Sequence, residues 1–482
     1  MFNFWLAVCD GPRLARFTNK GVGVNSDNAS VLSSPAASVL EAVQTSSTSY
    51  EDRLNAGRDR SGYASTTLPD GVVFAHSVDD VVRTVQLASA NDVSLVTRGA
   101  GTGLAAGGVG QAGEVVLDVS SMNRILRIDP VEHLAVVEPG VLNGELNAAV
   151  AEHGLFYAPD PASTAICSIG GNVSTNAGGM RCAKYGVTRE AVLALHVVLA
   201  DGRELRTGRE TLKGVAGYDL NALFTGSEGT LGIVVEATLR LRPLPTATAT
   251  VAAFFPDFAT AAQAASAVIA AQVQPSLLEL MDGQTLEAVD SALGTDYRSR
   301  GGAFLLAQTD GYGAFLEQDV VLEAIEPLAS SCEKAADSEH AEELVRARRE
   351  AIPSLEQLGR VSIGDIAVPR GRLADAALGL GEISRTTGAR IFTVAHASDG
   401  NLHPMIVMDE EDSVTEGPAK AALGEMFYLA KRLGGTLTGE HGVGLLKRDW
   451  LLPELGEVSL EVQHAIKDAL DPKGILNPGK AI

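Results

Sequence analysis

Three of the chain's nine histidines fall in two short motifs near its C-terminal end. The first is Ala395-His-Ala-Ser-Asp-Gly-Asn-Leu-His-Pro404, preceded by apolar Ile391–Val394 and followed by Met405–Met408. Two apolar runs joined by Asp399-Gly400 read as a hairpin with a type I′ turn. Counting outward from that turn pairs His396 with His403 on one face, roughly 5 Å apart at Cβ. The second motif is Thr438-Gly-Glu-His-Gly-Val-Gly444, which adds a carboxylate at Glu440 and a third imidazole at His441 on a glycine-flanked turn. Two histidines and one glutamate form a three-ligand set that leaves positions open, as catalytic rather than structural metal sites do. Imidazole with carboxylate suits zinc and admits manganese or iron. The same pattern also fits hydrogen-bonded strand histidines and a capped turn residue, so spacing alone leaves the metal open.

Glycine marks a second kind of chemistry. The run Arg98-Gly-Ala-Gly-Thr-Gly-Leu104 follows a short β-rich stretch, and Gly107-Gly108 comes soon after. Backbone N–H groups of such a loop can approach a phosphate, with Arg98 to balance charge. Gly101-x-Gly103-x-x-Ala106 has the outline of a Rossmann fingerprint, but that motif must open a helix. Leu104–Gly113 holds four glycines and is a poor helix former, so a Rossmann site is excluded. A P-loop sequence is absent. A second glycine-rich loop is expected at Ser168–Gly179, with Gly170, Gly171, Asn172, Thr175, Asn176 and Gly178 as donors or close-approach points. Two such loops suit the two ends of a pyrophosphate; tight turns between packed strands are the alternative. A third segment, Phe224–Val234, sets Glu228 in a glycine-lined turn suited to a ribose or ring-edge contact, beside Gly232, Ile233 and Val234.

Elements must position these groups. Helical spacing runs over Asp79–Ala90, and strands are expected at Val93–Thr97, Glu114–Val119 and Leu134–Glu138. A nearly continuous apolar run, Ala191–Ala200, reads as a buried strand, and Gly232–Leu241 as another that stops before Pro243. The Pro243/Pro245 pair marks a domain exit. Beyond it lie an alanine-rich helix (Ala259–Ala271), a strand (Ala303–Gln308), a charged helix (Glu339–Glu350) and a last helix (Leu460–Leu470) before the loop Asp471–Pro478, which contains Asn477. Residues 1–45 are rich in Ser, Ala, Asn and Gly and are expected to form a loose arm.

With 482 residues the chain exceeds a single core and calls for two or three domains. Lys and Arg number 38 against 60 Asp and Glu, a net charge of −22 that argues against nucleic acid as a partner. Cys9, Cys167, Cys182 and Cys332 are scattered without metal-type pairing, as in a reducing, cytoplasmic setting. Phe2–Cys9 is apolar but too short for a signal peptide, and no apolar run is long enough to span a bilayer. A peripheral membrane association through an electron acceptor stays compatible with this.

The loops Arg98–Leu104 and Ile169–Gly179, with Val137–Gly140, Pro159–Ser163 and Thr225–Val234, resemble the FAD domain of the vanillyl-alcohol-oxidase (PCMH-type) superfamily. Within it they resemble the branch of D-lactate, glycolate and D-2-hydroxyglutarate dehydrogenases, over about residues 50–482. The resemblance implies an α+β fold: a PCMH-type FAD-binding domain of two α+β subdomains (46–245), an α+β cap domain with an antiparallel sheet (246–425), and a C-terminal segment (426–482) returning to the FAD domain. It implies FAD contacts along the three segments above and at Pro161, Ser163 and Asn477. The first loop carries no histidine, so the flavin is expected to be non-covalent. The resemblance further implies a divalent metal on His396, His403 and Glu440, His441 as the base beside the flavin, and Arg348 on the substrate carboxylate. Where D-2-hydroxyglutarate enzymes carry polar groups, this chain has Ile363, Ile352 and Met405. A second substrate carboxylate would go unpaired there, which favours a D-lactate-like monocarboxylate. The implied function is oxidation of that acid with hydride to flavin N5; a D-2-hydroxyglutarate or glycolate dehydrogenase, or a non-catalytic FAD subunit, are the alternatives. No iron–sulfur or haem motif is present, so electrons would leave to an external quinone, cytochrome, electron-transfer flavoprotein or oxygen. A homodimer stays open.

Overall fold

A computed structural model describes residues 35–63, 65–211, 213–409 and 412–482. The apolar Phe2–Cys9 stretch lies outside them. Three sheets carry the fold. In the first, Gly71–Phe74, Glu114–Asp118 and Ser94–Arg98 run parallel, and Ser46–Ser47 joins the edge antiparallel. The crossover helix Val78–Ala90 starts at Ser77, whose hydroxyl accepts from the Asp80 amide, and buries Val81, Val85 and Ala88. The expected loose arm is ordered in its last part: Pro35–Ala42 is a helix that buries Ala36, Val39 and Leu40 in this core, as its apolar spacing permits.

The second sheet is antiparallel, in the order Ile125–Asp129, Leu134–Val137, Ile233–Arg240, Val192–Val198, Glu204–Gly208. Most expected elements therefore lie within a residue or two of their observed ends, where helices and strands fray. The Ser168–Gly179 loop is a correction. Ile169–Thr175 forms a short helix capped by Ser168 and closed by Asn176 in the left-handed conformation (φ 51°). Its glycines allow a close approach instead: a Cβ on Gly170 would stand 2.6 Å from Pro139.

The third sheet is antiparallel and the largest, in the order Ser331–Lys334, Thr248–Phe255, Ala303–Asp310, Leu277–Asp282, Arg390–His396, Asn401–Met408, Arg360–Ile363, with Ile366–Ala367 beside Asn401–Met408. Both faces are buried. Val251, Ala253 and Phe255 join a core with helices Phe258–Ala270, Ala314–Ile325, Leu373–Thr387 and Gly417–Arg432, while Ala252 and Phe254 face the opposite way. Helix Gly417–Arg432 packs into that core along its length, so the division expected after residue 425 falls inside one packed helix. The chain returns to the first sheet later, where Leu476 bridges Leu95 and the buried Lys480 pairs with Glu114. Among the described residues no helix is long and apolar enough to cross a membrane.

Candidate active site

Period-two alternation places the chemistry. Along Leu277–Asp282, Leu278 and Leu280 enter one core, so Glu279 points to the other face with Met281. By the same alternation His396 shares that face with Val394, and His403 with Met405. The hairpin differs from expectation. His396 pairs with Asn401 and His403 with Val394, and residues 397–400 form the connection. A type I′ turn needs positive φ at both central residues, and of the Asp399-Gly400 pair only Gly400 (φ 87°) has it. The histidines are thus diagonal rather than opposite, yet their rings still converge, with centroids 5.0 Å apart and an edge-on angle of 81°.

Thr438–Gly444 meets this pair from the other side. Glu440 Oε1 lies 3.2 Å from His403 Nε2, 3.6 Å from His396 Nε2 and 3.8 Å from His441 Nε2. One ligand atom from each of His396, His403 and Glu440 falls within 4.8 Å of the others, which fits one cation. Both strand histidines are oriented by their Nδ1 atoms. His396 Nδ1 donates to Glu279 at 2.8 Å, and His403 Nδ1 to the Gly364 carbonyl at 3.3 Å, turning each Nε2 towards Glu440. Burial would depress the His396 pKa, but Glu279 and Glu440 outweigh it and raise it well above the usual value. An imidazole whose proton is held between carboxylates is where a divalent cation exchanges for that proton. The donor set and its buried, hydrogen-bonded support therefore fit a divalent metal.

His441 stacks on His403, with centroids 4.9 Å apart and planes 7° from parallel. Burial pushes its imidazole down to about 4, and Nδ1 is buried without a hydrogen-bond partner. Asp365, fully buried, fixes the loop that carries both Glu440 and His441. It accepts from the Thr438 hydroxyl (2.6 Å), the amides of Gly439 (3.0 Å), Glu440 (3.2 Å) and His441 (2.9 Å), and Lys447 Nζ (3.0 Å). Burial would raise the Asp365 pKa, and Lys447, His441 and His403 override it to hold the carboxyl well below its usual range.

His396, His403, Glu440, His441 and Arg348 line a cavity of about 1790 Å³. Arg98, Gly99, Ala100, Gly101, Thr102, Gly103, Leu104, Pro161, Ser163, Ser168, Gly170, Gly171, Asn172, Thr175, Gly178, Glu228, Gly232, Ile233 and Val234 line the same cavity. A volume above the usual 300–1,000 Å³ of small-ligand sites suits a dinucleotide with a substrate beside it. The two expected phosphate loops meet at Ser168, whose hydroxyl accepts from the Ala100 amide at 3.3 Å. No helix follows Ser94–Arg98, in keeping with the excluded Rossmann motif.

Two expected contacts, Asn176 and Asn477, are not on the cavity wall, and two others, Glu228 and Arg348, line it with partners inside the protein. Asn176 stands off the cavity as the left-handed cap that accepts from the Arg189 amide. Asn477 is buried behind the wall, donating to the carbonyls of Gly107 and Glu228. The Glu228 carboxylate is taken up by the amides of Val443 (2.7 Å) and Gly444 (2.9 Å), which ties the His441 segment to the glycine-rich loops. Arg348 pairs with Glu279 at 2.8 Å. Ile352 and Ile363 are on the cavity wall, whereas Met405 is buried beside Ile363, its cross-strand partner, and does not line the cavity. Sequence reasoning missed Glu279 and Asp365. A lone carboxylate in the apolar run Leu277–Met281 was the available signal for Glu279.

Residues 69–208 match the family described as FAD binding domain, and residues 244–481 that described as FAD linked oxidases, C-terminal domain. The chain is 40% identical to the glycolate oxidase subunit GlcD of Bacillus subtilis, over 91% of this chain and 95% of that one. It is 32% identical to the mitochondrial D-lactate dehydrogenase [cytochrome] of Arabidopsis thaliana, over 90% and 77% of the two chains. The crystal structure of p-cresol methylhydroxylase shares the fold, with a TM-score of 0.76 at 19% identity over 93% and 96% of the two chains. The chain is thus a member of the FAD-linked oxidases, among glycolate oxidase subunits and D-lactate and D-2-hydroxyglutarate dehydrogenases.

Proposed function

We propose that the chain oxidises a 2-hydroxy acid with one carboxylate, of D configuration and D-lactate-like, to the 2-oxo acid. The observation that carries this reading is the convergence of Glu440, His396, His403 and His441 on the wall of the cavity that the FAD loops line. When bound, non-covalent FAD supplies the hydride acceptor and a divalent cation on His396, His403 and Glu440, zinc by donor type, polarises the substrate hydroxyl. His441, on the cavity wall and neutral through burial, takes the hydroxyl proton. Arg348 supplies a buried positive charge for the substrate carboxylate. Glu279 already occupies one side of it, so what remains for a substrate carboxylate is the rest of the guanidinium's N–H donors. Ile352 and Ile363 give the substrate side chain an apolar wall and no partner for a second carboxylate. The electrons then leave to an external acceptor, a quinone, cytochrome, electron-transfer flavoprotein or oxygen.

The test is anaerobic reduction of the purified yellow protein by a panel of acids. D-lactate is expected to bleach the flavin faster than L-lactate, glycolate or D-2-hydroxyglutarate. Faster turnover of D-2-hydroxyglutarate would move the assignment to the dicarboxylate.

A further inference from the structure

We propose that Glu279 is a positioning residue that couples the cation site to the substrate-carboxylate site, one carboxylate setting both His396 and Arg348. This rests on the cation and substrate reading above. Glu279 is fully buried and stands directly across the strand pair from His396, so backbone register fixes the distance between them. Its oxygens accept from His396 Nδ1 at 2.8 and 2.9 Å and from an Arg348 guanidinium nitrogen at 2.8 Å. A lone carboxylate at this depth would be costly, so the imidazole and the guanidinium hold it as much as it holds them.

Two consequences follow from one group. The bond to Nδ1 selects the tautomer that leaves the His396 Nε2 lone pair facing Glu440, where a cation would sit. The bond to Arg348 holds a side chain that also lines the cavity and keeps its Nε buried without a partner. Cation and substrate carboxylate therefore meet the protein through opposite ends of the same three-residue chain, and whatever turns Glu279 disturbs both. Geometry makes this testable by charge-neutral replacement. Glu279 Oε2 takes both donors, Nδ1 at 2.9 Å and the guanidinium at 2.8 Å, while Oε1 takes Nδ1 at 2.8 Å. A glutamine at 279 must set its NH₂ in place of one of these oxygens, against the His396 N–H in one orientation and against the Arg348 donors in the other. Removing the Arg348 donors as well lifts that conflict and frees the glutamine to orient His396.

The experiment titrates cobalt(II) into chelator-treated, flavin-loaded protein, with flavin absorbance reporting an intact fold. Wild type is expected to bind one cobalt ion, and His403→Ala none. Glu279→Gln should bind about 10–100-fold more weakly, and the double variant Glu279→Gln/Arg348→Met should regain at least about tenfold of that loss while keeping a raised KM for the acid. If wild type binds no cobalt, the cation reading fails and the coupling with it. If wild type binds and Glu279→Gln binds equally well, or the double variant binds no better than the single, the coupling alone is overturned. Should Glu279→Gln shed its flavin, Glu279→Asp takes its place. It keeps the charge but is too short to reach both partners, and wild-type cobalt affinity in it would overturn the coupling too.

Discussion

Asp365→Asn isolates what holds the catalytic loop. The wild-type carboxylate is wholly buried and gathers donors from Thr438, Gly439, Glu440, His441 and Lys447 within 2.6–3.2 Å. Asparagine keeps the shape but offers one oxygen and turns an NH₂ group towards N–H donors. It also strands the Lys447 ammonium, itself 4% exposed. Removing one partner of a buried ion pair costs about 3–5 kcal/mol, and the displaced amides add to that without being additive. The expected loss is therefore about 4 kcal/mol, read as a lowered urea midpoint. Function should fall by a separate route. Glu440 and His441 ride on the freed loop, and a displacement of about 1 Å at reacting groups costs on the order of 100-fold in kcat/KM. Flavin should stay bound, since Asp365 is not among the residues lining the cavity. The double variant Asp365→Asn/Lys447→Met removes the stranded charge and should recover stability by more than ~1 kcal/mol, with kcat/KM still low. A single variant with wild-type kcat/KM, or a double variant that recovers activity together with stability, would refute the loop-anchoring argument.

Other perturbations read separate parts of the site. His441→Ala should keep flavin and cation yet leave the flavin oxidised under anaerobic substrate; bleaching at the wild-type rate would remove His441 from the base role. Ile363→Lys places a charge on the apolar wall, and one charge-assisted hydrogen bond of about 1.5–3 kcal/mol predicts a shift of at least tenfold in kcat/KM towards D-2-hydroxyglutarate over D-lactate. No shift in a substrate panel would mean that this wall does not face the substrate side chain. Asp160, on the cavity wall beside Arg181, is pushed up to about 6 by burial, against the opposing effect of Arg181. Its folded pKa exceeds the unfolded value of about 3.9, so the fold binds the proton first and stability falls as pH rises from about 4 to 6. Asp160→Asn should remove up to ~3 kcal/mol of that slope; an unchanged stability–pH profile would rule the group out.

What could be read in the sequence was what short-range pattern encodes. Alternation marked the strands, glycine marked the close approaches at Gly99–Gly103, and the two histidine motifs fixed all four converging groups to their strands and turn. The hairpin register was misjudged because Asp-Gly suggests a two-residue turn. Here Gly400 serves a close approach instead: a Cβ there would stand 2.1 Å from the Val368 carbonyl oxygen of a neighbouring segment. Long-range partners were beyond such reasoning. Glu279 meets His396 across 117 positions and Glu228 meets Gly444 across 216, and nothing local to either carboxylate names its partner. What local pattern does show is cost: a carboxylate inside Leu277–Met281 must be paired. That argument extends to the chemistry. The buried acids Glu279, Asp365 and Glu440 are each matched to a histidine or lysine from another part of the chain, so the site assembles only when the large sheet, the C-terminal loop and the flavin loops have closed on one another. A site built this way holds its imidazoles in fixed tautomers and the Arg348 guanidinium at a fixed depth before any ligand arrives, which is the preorganisation that oxidation of a small acid requires.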